Sequence, residues 1–256
     1  MIVRSAVAPV LREPSLRSEQ VTQLVLGETA RALETSSDWF RVRTGVDGYE
    51  GWVHRGYLVP VDAAGDRRWQ AVADGWSDGA VARVAGRIVK LPVRARVGIR
   101  GADLTLPDGA TGALIAGRVR PLAEARRRAR ELAPERWATE TFAGAPYEWG
   151  GVTPWGVDCS GLVQTTYLAR GTTLPRDARD QARVGVEVAA DRTRPGDLLF
   201  FSERADGITH VAFAGPGDTL VHSTLSCGGF VVECWGAGTR AAFLRDRLVT
   251  IRRIAA

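Results

Sequence analysis

The chain has 256 residues, 45% of them hydrophobic, and a formal charge of +5 from 34 basic and 29 acidic residues. Such a length exceeds one ordinary domain and supplies sizeable cores, and the composition excludes a disordered or collagen-like chain. A pI near 9.6 invites a nucleic-acid reading. The basic residues, all arginine except Lys90, are spread along the chain rather than gathered on one face, so no nucleic-acid partner is expected.

The chain opens Met1-Ile2-Val3-Arg4, without an apolar signal core, and has no span long enough to cross a bilayer. No membrane partner is expected and, with Met1 as the native start, the location is cytoplasmic. Short β-type runs at 21–26, 30–33, 39–42 and 51–53 alternate with turn residues at the spacing of a small barrel. His54 reads as a surface residue at a strand end. Residues 61–122 repeat the style more weakly. There Leu91-Pro92, 98–101 and Leu106-Pro107-Asp108-Gly109-Ala110-Thr111-Gly112 read as strand ends and turns, two diverged copies rather than a detectable repeat. A helical stretch follows over 122–142. Its dense run Arg126-Arg127-Arg128-Ala129-Arg130 reads as a solvated face, with Leu132 and Trp137 on the other side.

Asp158-Cys159-Ser160-Gly161 is the most informative segment. Leu162, Val163, Thr166 and Tyr167 fall at helical spacing, and Gly171 supplies a stop, so Cys159 sits in the first turn of a helix. A thiolate is the nucleophile, and a helix N-terminus and a nearby histidine both lower a thiol pKa. The alternative is a buried structural cysteine, a common and inert residue. Downstream, His210 opens one apolar run and His222 closes another, with the turn signal Gly215-Pro216-Gly217-Asp218 between them. This is a β-hairpin. An odd loop pairs positions summing to 432 and sets His210 directly opposite His222; an even loop sends the two rings to opposite faces. In the odd register His210 takes the thiol proton and His222 holds its ring.

Three cysteines make an odd count, and no disulfide framework is indicated. Cys227 and Cys234 flank 228–233, the spacing of a pair that meets across a hairpin; the simpler reading is two reduced, partly buried thiols. Cys159, His210 and His222 lack the short-spaced ligand pair usual for zinc, so neither a metal nor another cofactor is expected.

These residues carry a family resemblance over roughly 124–256. Pro146-Tyr147-Glu148-Trp149-Gly150-Gly151 and Gly156-Val157-Asp158-Cys159-Ser160-Gly161-Leu162-Val163 resemble the nucleophile region of NlpC-type cell-wall cysteine peptidases. Leu174-Pro175-Arg176-Asp177, Arg194-Pro195-Gly196-Asp197-Leu198-Leu199-Phe200-Phe201, His210-Val211-Ala212 and Val221-His222-Ser223 follow in the family's order. The resemblance implies a papain-like α+β catalytic domain. Cys159 would be its nucleophile, His210 its general base and acid, His222 its orienting third residue, and Tyr147 part of its oxyanion site. Gly48-Tyr49-Glu50-Gly51-Trp52-Val53 resembles the closing strand of bacterial SH3-like domains. The expected architecture is therefore multidomain: an SH3-like barrel at 1–60, a second at 61–122 and the catalytic domain at 123–256.

Two SH3-like domains before an NlpC-type domain resemble the murein-peptide endopeptidases, which cut between γ-D-glutamate and the diamino acid of stem peptides. The resemblance implies a monomer acting on peptides with a free N-terminal L-alanine, in wall-peptide recycling, with the first SH3-like domain closing one side of the cleft. Asp158, Ser160 and Tyr49 would read the substrate's amine, Asp158 strongly if desolvated, with Arg176 and Asp177 near the substrate. Two positions depart from the subgroup: Val21 stands where an acidic residue can occur, with Glu19 its nearest replacement, and Ala178 stands where a serine is frequent. The competing readings are an amidase or acyltransferase on another substrate, and a catalytically silent wall-binding protein.

Overall fold

The computed structural model describes residues 1–204 and 207–255. These divide into two compact units, Met1–Ala125 and Arg126–Ala256.

The first unit opens with a five-stranded antiparallel sheet in the order Gln20–Val25, Val7–Leu11, Glu50–His54, Trp39–Thr44, Ala30–Ser36. Four of these match the predicted runs. Val7–Leu11 escapes the pattern because Pro9 lacks an N–H and reads as a strand breaker; here its pairing to Glu50–His54 needs only Leu11 against Trp52. Val3, Ala8, Val10, Leu24, Val42 and Val53 fill the core.

Asp62 then caps an unpredicted helix, Ala63–Val72, by accepting from the Gly65 N–H at 2.6 Å. A closed barrel follows, built of Gly75–Val84, Arg87–Arg100, Asp103–Thr105 and Thr111–Pro121. Leu91-Pro92 is not a strand end, as expected from sequence, but lies inside Arg87–Arg100, whereas 98–101 holds that strand's end and the start of the turn after it. A register shift between Trp76 and Asp78 and a left-handed Arg94 (φ 81°) bend that strand past its proline. Arg94 and Glu28, 2% and 6% exposed, form a buried ion pair linking the barrel to the first sheet's turn. Trp69 Nε1 donates to the Gly27 carbonyl beside it at 2.7 Å.

The predicted helical stretch 122–142 is two helices, Leu122–Glu131 and Pro134–Phe142. Pro134 has no N–H for an uninterrupted helix, but its fixed φ suits the first position of a new one. In the second unit the helix Cys159–Ala169 packs on an antiparallel sheet, which among the described residues is six-stranded. Its order is Val186–Glu187, Leu248–Arg253, Leu198–Phe201, His210–Gly215, Thr219–Thr224, Gly229–Cys234. One sheet face buries Leu198, Phe200, Val211, Phe213 and Val221 with Leu162, Val163 and Tyr167 of that helix. The other buries Leu199, Phe201, Ala212, Leu220 and Ile251 with Ala241 and Leu244 of the short helix Arg240–Arg245. Period-two alternation in strands buried on both faces produces this split, and it explains why Leu-Leu-Phe-Phe runs without a polar residue.

Candidate active site

Cys159 is the first residue of its helix, and Gly171 (φ 89°) lies just beyond the helix end. Asp158 is the N-cap, accepting from the Gly161 N–H at 2.7 Å. Gly161 is required by close approach, because a Cβ there would stand 2.0 Å from the Gly151 carbonyl oxygen. That contact seats the helix start on the 146–151 loop, which also carries Tyr147. Tyr147 in turn bridges to Val157 and donates its N–H to the Gly228 carbonyl at 2.9 Å. Cys159, Tyr147 and Asp158 are therefore neighbours, and burial, joined by the proximity of Cys159 and the Asp158 charge, pushes the Tyr147 phenol pKa up. The phenol stays protonated, a donor fit for an oxyanion.

The thiol differs from expectation. Burial, followed by the Asp158 charge, pushes its pKa up to about 12, against the opposing pull of the Val211 and Ser160 backbone N–H groups and of Arg176. The helix N-terminus acts, but desolvation outweighs it. Burial likewise drives His210 well below the usual imidazole value, with the His222 and Arg240 charges adding to the shift. His222 is lowered by burial, with Glu233 opposing. Thiol and imidazoles are accordingly neutral near pH 7. The Val211 N–H that contacts the thiol belongs to the residue beside His210.

The hairpin has a three-residue loop, Pro216-Gly217-Asp218, so the predicted odd register holds in parity, but it is displaced by one pair. Gly215 pairs Thr219 and Phe213 pairs Val221. Pairs sum to 434 rather than 432, because the turn begins one residue later than supposed. His210 and His222 thus share a sheet face as diagonal rather than direct partners. The diagonal spacing suits two imidazoles, and His210 Nε2 lies 2.9 Å from His222 Nδ1. His222 is fully buried, and its Nε2 lies 3.1 Å from Glu233 Oε2. Sequence reasoning missed Glu233. The available signal was alternation: Val231 pairs with His222, and Glu233 is two residues further along the same face.

Asp158, expected to pair with a substrate ammonium in a desolvated cleft, is buried and already bound. Arg176 spans both oxygens at 3.1 and 2.6 Å, and the Gly150 N–H (2.8 Å), Gly161 N–H (2.7 Å) and Ser160 hydroxyl (3.3 Å) complete its shell. Its charge is neutralised by a buried guanidinium, so its pull on an amine is far weaker than that of a lone desolvated carboxylate. Ser160 Oγ accepts from Arg176 at 2.7 Å. Asp177 is half-buried at the N-cap of the short helix Ala178–Gln181.

In the first unit, Tyr49 is half-buried in the turn before Glu50–His54, with its N–H bound to Thr44 Oγ1 and Asp47 Oδ1 at 3.0 and 3.1 Å. Glu19 is exposed and pairs with Arg12 at 2.7 Å. His54 accepts from the Gly56 N–H at 3.2 Å and meets the Trp39 ring edge-on. Cys227 and Cys234 are free and exposed, not partly buried. They stand just before and at the end of a single strand, Gly229–Cys234, whose length holds them apart. Among the described residues no group of three His, Cys, Asp or Glu is placed to hold a metal, and no helix is long and apolar enough to cross a membrane.

A helix-borne cysteine beside a strand-borne histidine pair makes the second unit a papain-like cysteine peptidase domain, preceded in the chain by an SH3-like domain. The NlpC/P60 family profile matches residues 144–238, and the bacterial dipeptidyl-peptidase SH3 domain profile matches residues 10–58. The chain thus carries an NlpC/P60 domain and a dipeptidyl-peptidase-type SH3 domain. It is 44% identical over 84 residues to a Bacillus subtilis γ-D-glutamyl-L-lysine dipeptidyl-peptidase, covering 32% of this chain and 28% of that protein. A Bacillus cereus protein of the same name is 37% identical over 109 residues, and the match spans 32% of its length. The chain therefore spans under a third of either relative. Lysinibacillus sphaericus dipeptidyl-peptidase 6 is 28% identical across 97% of this chain and 96% of that protein. In fold, a crystal structure of a Bacillus cereus NlpC/P60 family protein superposes with a TM-score of 0.81, covering 98% of both chains at 19% identity.

Proposed function

We propose that the chain is a cysteine endopeptidase that hydrolyses the γ-D-glutamyl–diamino acid bond of murein stem peptides bearing a free N-terminal L-alanine. Its role would be in wall-peptide recycling, and its three domains would span 1–60, 61–122 and 123–256. The observation that carries the reading is the buried His210–His222 contact at 2.9 Å, with the Cys159 thiol against the next backbone N–H. The near full-length similarity to dipeptidyl-peptidase 6 supports the substrate class.

Cys159 attacks the γ-glutamyl carbonyl while His210 takes the thiol proton. The thiol is neutral at rest, so proton transfer accompanies attack rather than preceding it. The developing oxyanion takes a hydrogen bond from the protonated Tyr147 hydroxyl. His210 returns the proton to the leaving amine, and the diamino acid departs. Water, deprotonated by His210, then hydrolyses the thioester and restores the thiol. His222 holds the His210 ring throughout. Asp158 and Ser160 face the amine end as parts of a neutralised cluster with Arg176, Asp177 lies nearby, and Tyr49 and Glu19 supply the remaining amine recognition.

The test is incubation with L-Ala-γ-D-Glu-L-Lys, its meso-diaminopimelate counterpart and their N-acetylated forms, beside Cys159→Ala. Release of the C-terminal amino acid from the free-amine peptides by wild type alone is expected. No release from either would sink the peptidase reading, and equal rates for acetylated and free forms would sink the amine preference.

A further inference from the structure

We infer that Glu233 is a positioning residue that sets the tautomers of both active-site histidines, leaving His210 Nδ1 as the base. This rests on the peptidase reading above for its catalytic meaning. The chain of contacts is continuous. Glu233 Oε2 meets His222 Nε2 at 3.1 Å, and His222 Nδ1 meets His210 Nε2 at 2.9 Å.

A carboxylate offers only lone pairs, so the hydrogen on the first contact sits on His222 Nε2. A neutral imidazole carries one N–H, so His222 Nδ1 is then an acceptor. The hydrogen on the second contact must therefore come from His210 Nε2, and the single bare nitrogen of His210 is Nδ1. Two buried rings, both with lowered pKa, keep this one-hydrogen logic in force. Without Glu233 the pair has no preferred direction. The reversed arrangement would put a hydrogen on His210 Nδ1 and abolish its use as a base.

Glu233 is held for this task from the far side. It is 11% exposed, and Oε1 and Oε2 accept from the Arg240 and Ala241 N–H groups, both at 3.2 Å, in the first turn of Arg240–Arg245. The Cys227 thiol approaches Oε1 at 3.8 Å. The two backbone donors orient the carboxylate and demand an acceptor from it. Oε2 serves both His222 Nε2 and the Ala241 N–H, so a Glu233→Gln side chain can keep its oxygen there, whereas Glu233→Leu removes the acceptor and leaves the two tautomers without a fixed direction.

The experiment is histidine side-chain 15N–1H correlation spectroscopy on the full chain, with steady-state kinetics on the tripeptide. In wild type, both rings are expected to show a protonated Nε2 and a bare Nδ1. Glu233→Leu is expected to populate the reversed pair and to lower kcat about 10- to 100-fold with KM nearly unchanged. Wild-type rings with protonated Nδ1, or a Glu233→Leu protein with unaltered tautomers and kcat, would overturn the inference. The wild-type spectrum decides even where the variant fails to fold. A wild type inactive on every peptide but with these tautomers would sink the peptidase reading while upholding this one. A Cys159-dependent peptidase with reversed tautomers would do the opposite.

Discussion

Cys159 carries the sharpest consequence of burial. Its folded pKa of about 12 lies above the reference thiol value of 9.0. A neutral buried thiol therefore stabilises the fold fully below pH 9, and that contribution is lost as pH rises through the folded value. His210 and His222 run the other way. Their depressed pKa values give stability above 6.5 that is lost as pH falls. Urea midpoints should decline on both sides of the interval from about 6.5 to 9, and Cys159→Ala should remove much of the alkaline decline. Iodoacetamide alkylation of Cys159 should keep rising above pH 9; a plateau below pH 7 would show a thiolate–imidazolium pair instead. Arg176 sets the second residue-scale prediction. Arg176→Met leaves the Asp158 carboxylate buried without its cation, which should cost about 3–5 kcal/mol in urea unfolding. Adding Asp158→Asn should recover part of that, because no charge is then left unpaired.

At the scale of elements, the helix Cys159–Ala169 was legible from spacing alone, since its apolar positions and its stop lie within one short segment. What seats it was not. Gly161 touches the Gly151 carbonyl across ten residues of chain, with no room for a methyl. Gly161→Ala should therefore destabilise by about 1–3 kcal/mol on thermal melting and lower activity, since relief requires moving the loop that bears Tyr147. The hairpin shows how a small register error matters. Parity alone put both histidines on one face, but only the observed turn made them diagonal and opened the way for Glu233 from the third strand. The helix break at Pro134 and the proline-bearing strand Arg87–Arg100 show opposite outcomes for the same residue type. Proline starts one element because an orphan N–H is not needed there, and in the other it stands inside a strand that a bulge at 94–95 bends just beyond it.

For the whole molecule, each unit has its own buried clusters, two on the faces of the six-stranded sheet and one under the five-stranded sheet of the first unit. A fragment of residues 122–256 keeps the helix Leu122–Glu131 intact and should unfold in one cooperative transition. A fragment without a cooperative melt would show that the second core depends on the first unit. The sequence by itself determined the chemistry and its local carriers: a cysteine at a helix start, two histidines on one hairpin, a tyrosine on the preceding loop. Each of those signals lies within one short segment, where propensity and periodicity act. Only the tertiary structure decided that Asp158 is tied to Arg176, that the thiol rests protonated, and that Glu233 stands behind His222. Each of these depends on burial and on groups brought together from distant strands and loops, and both arise only when the chain packs.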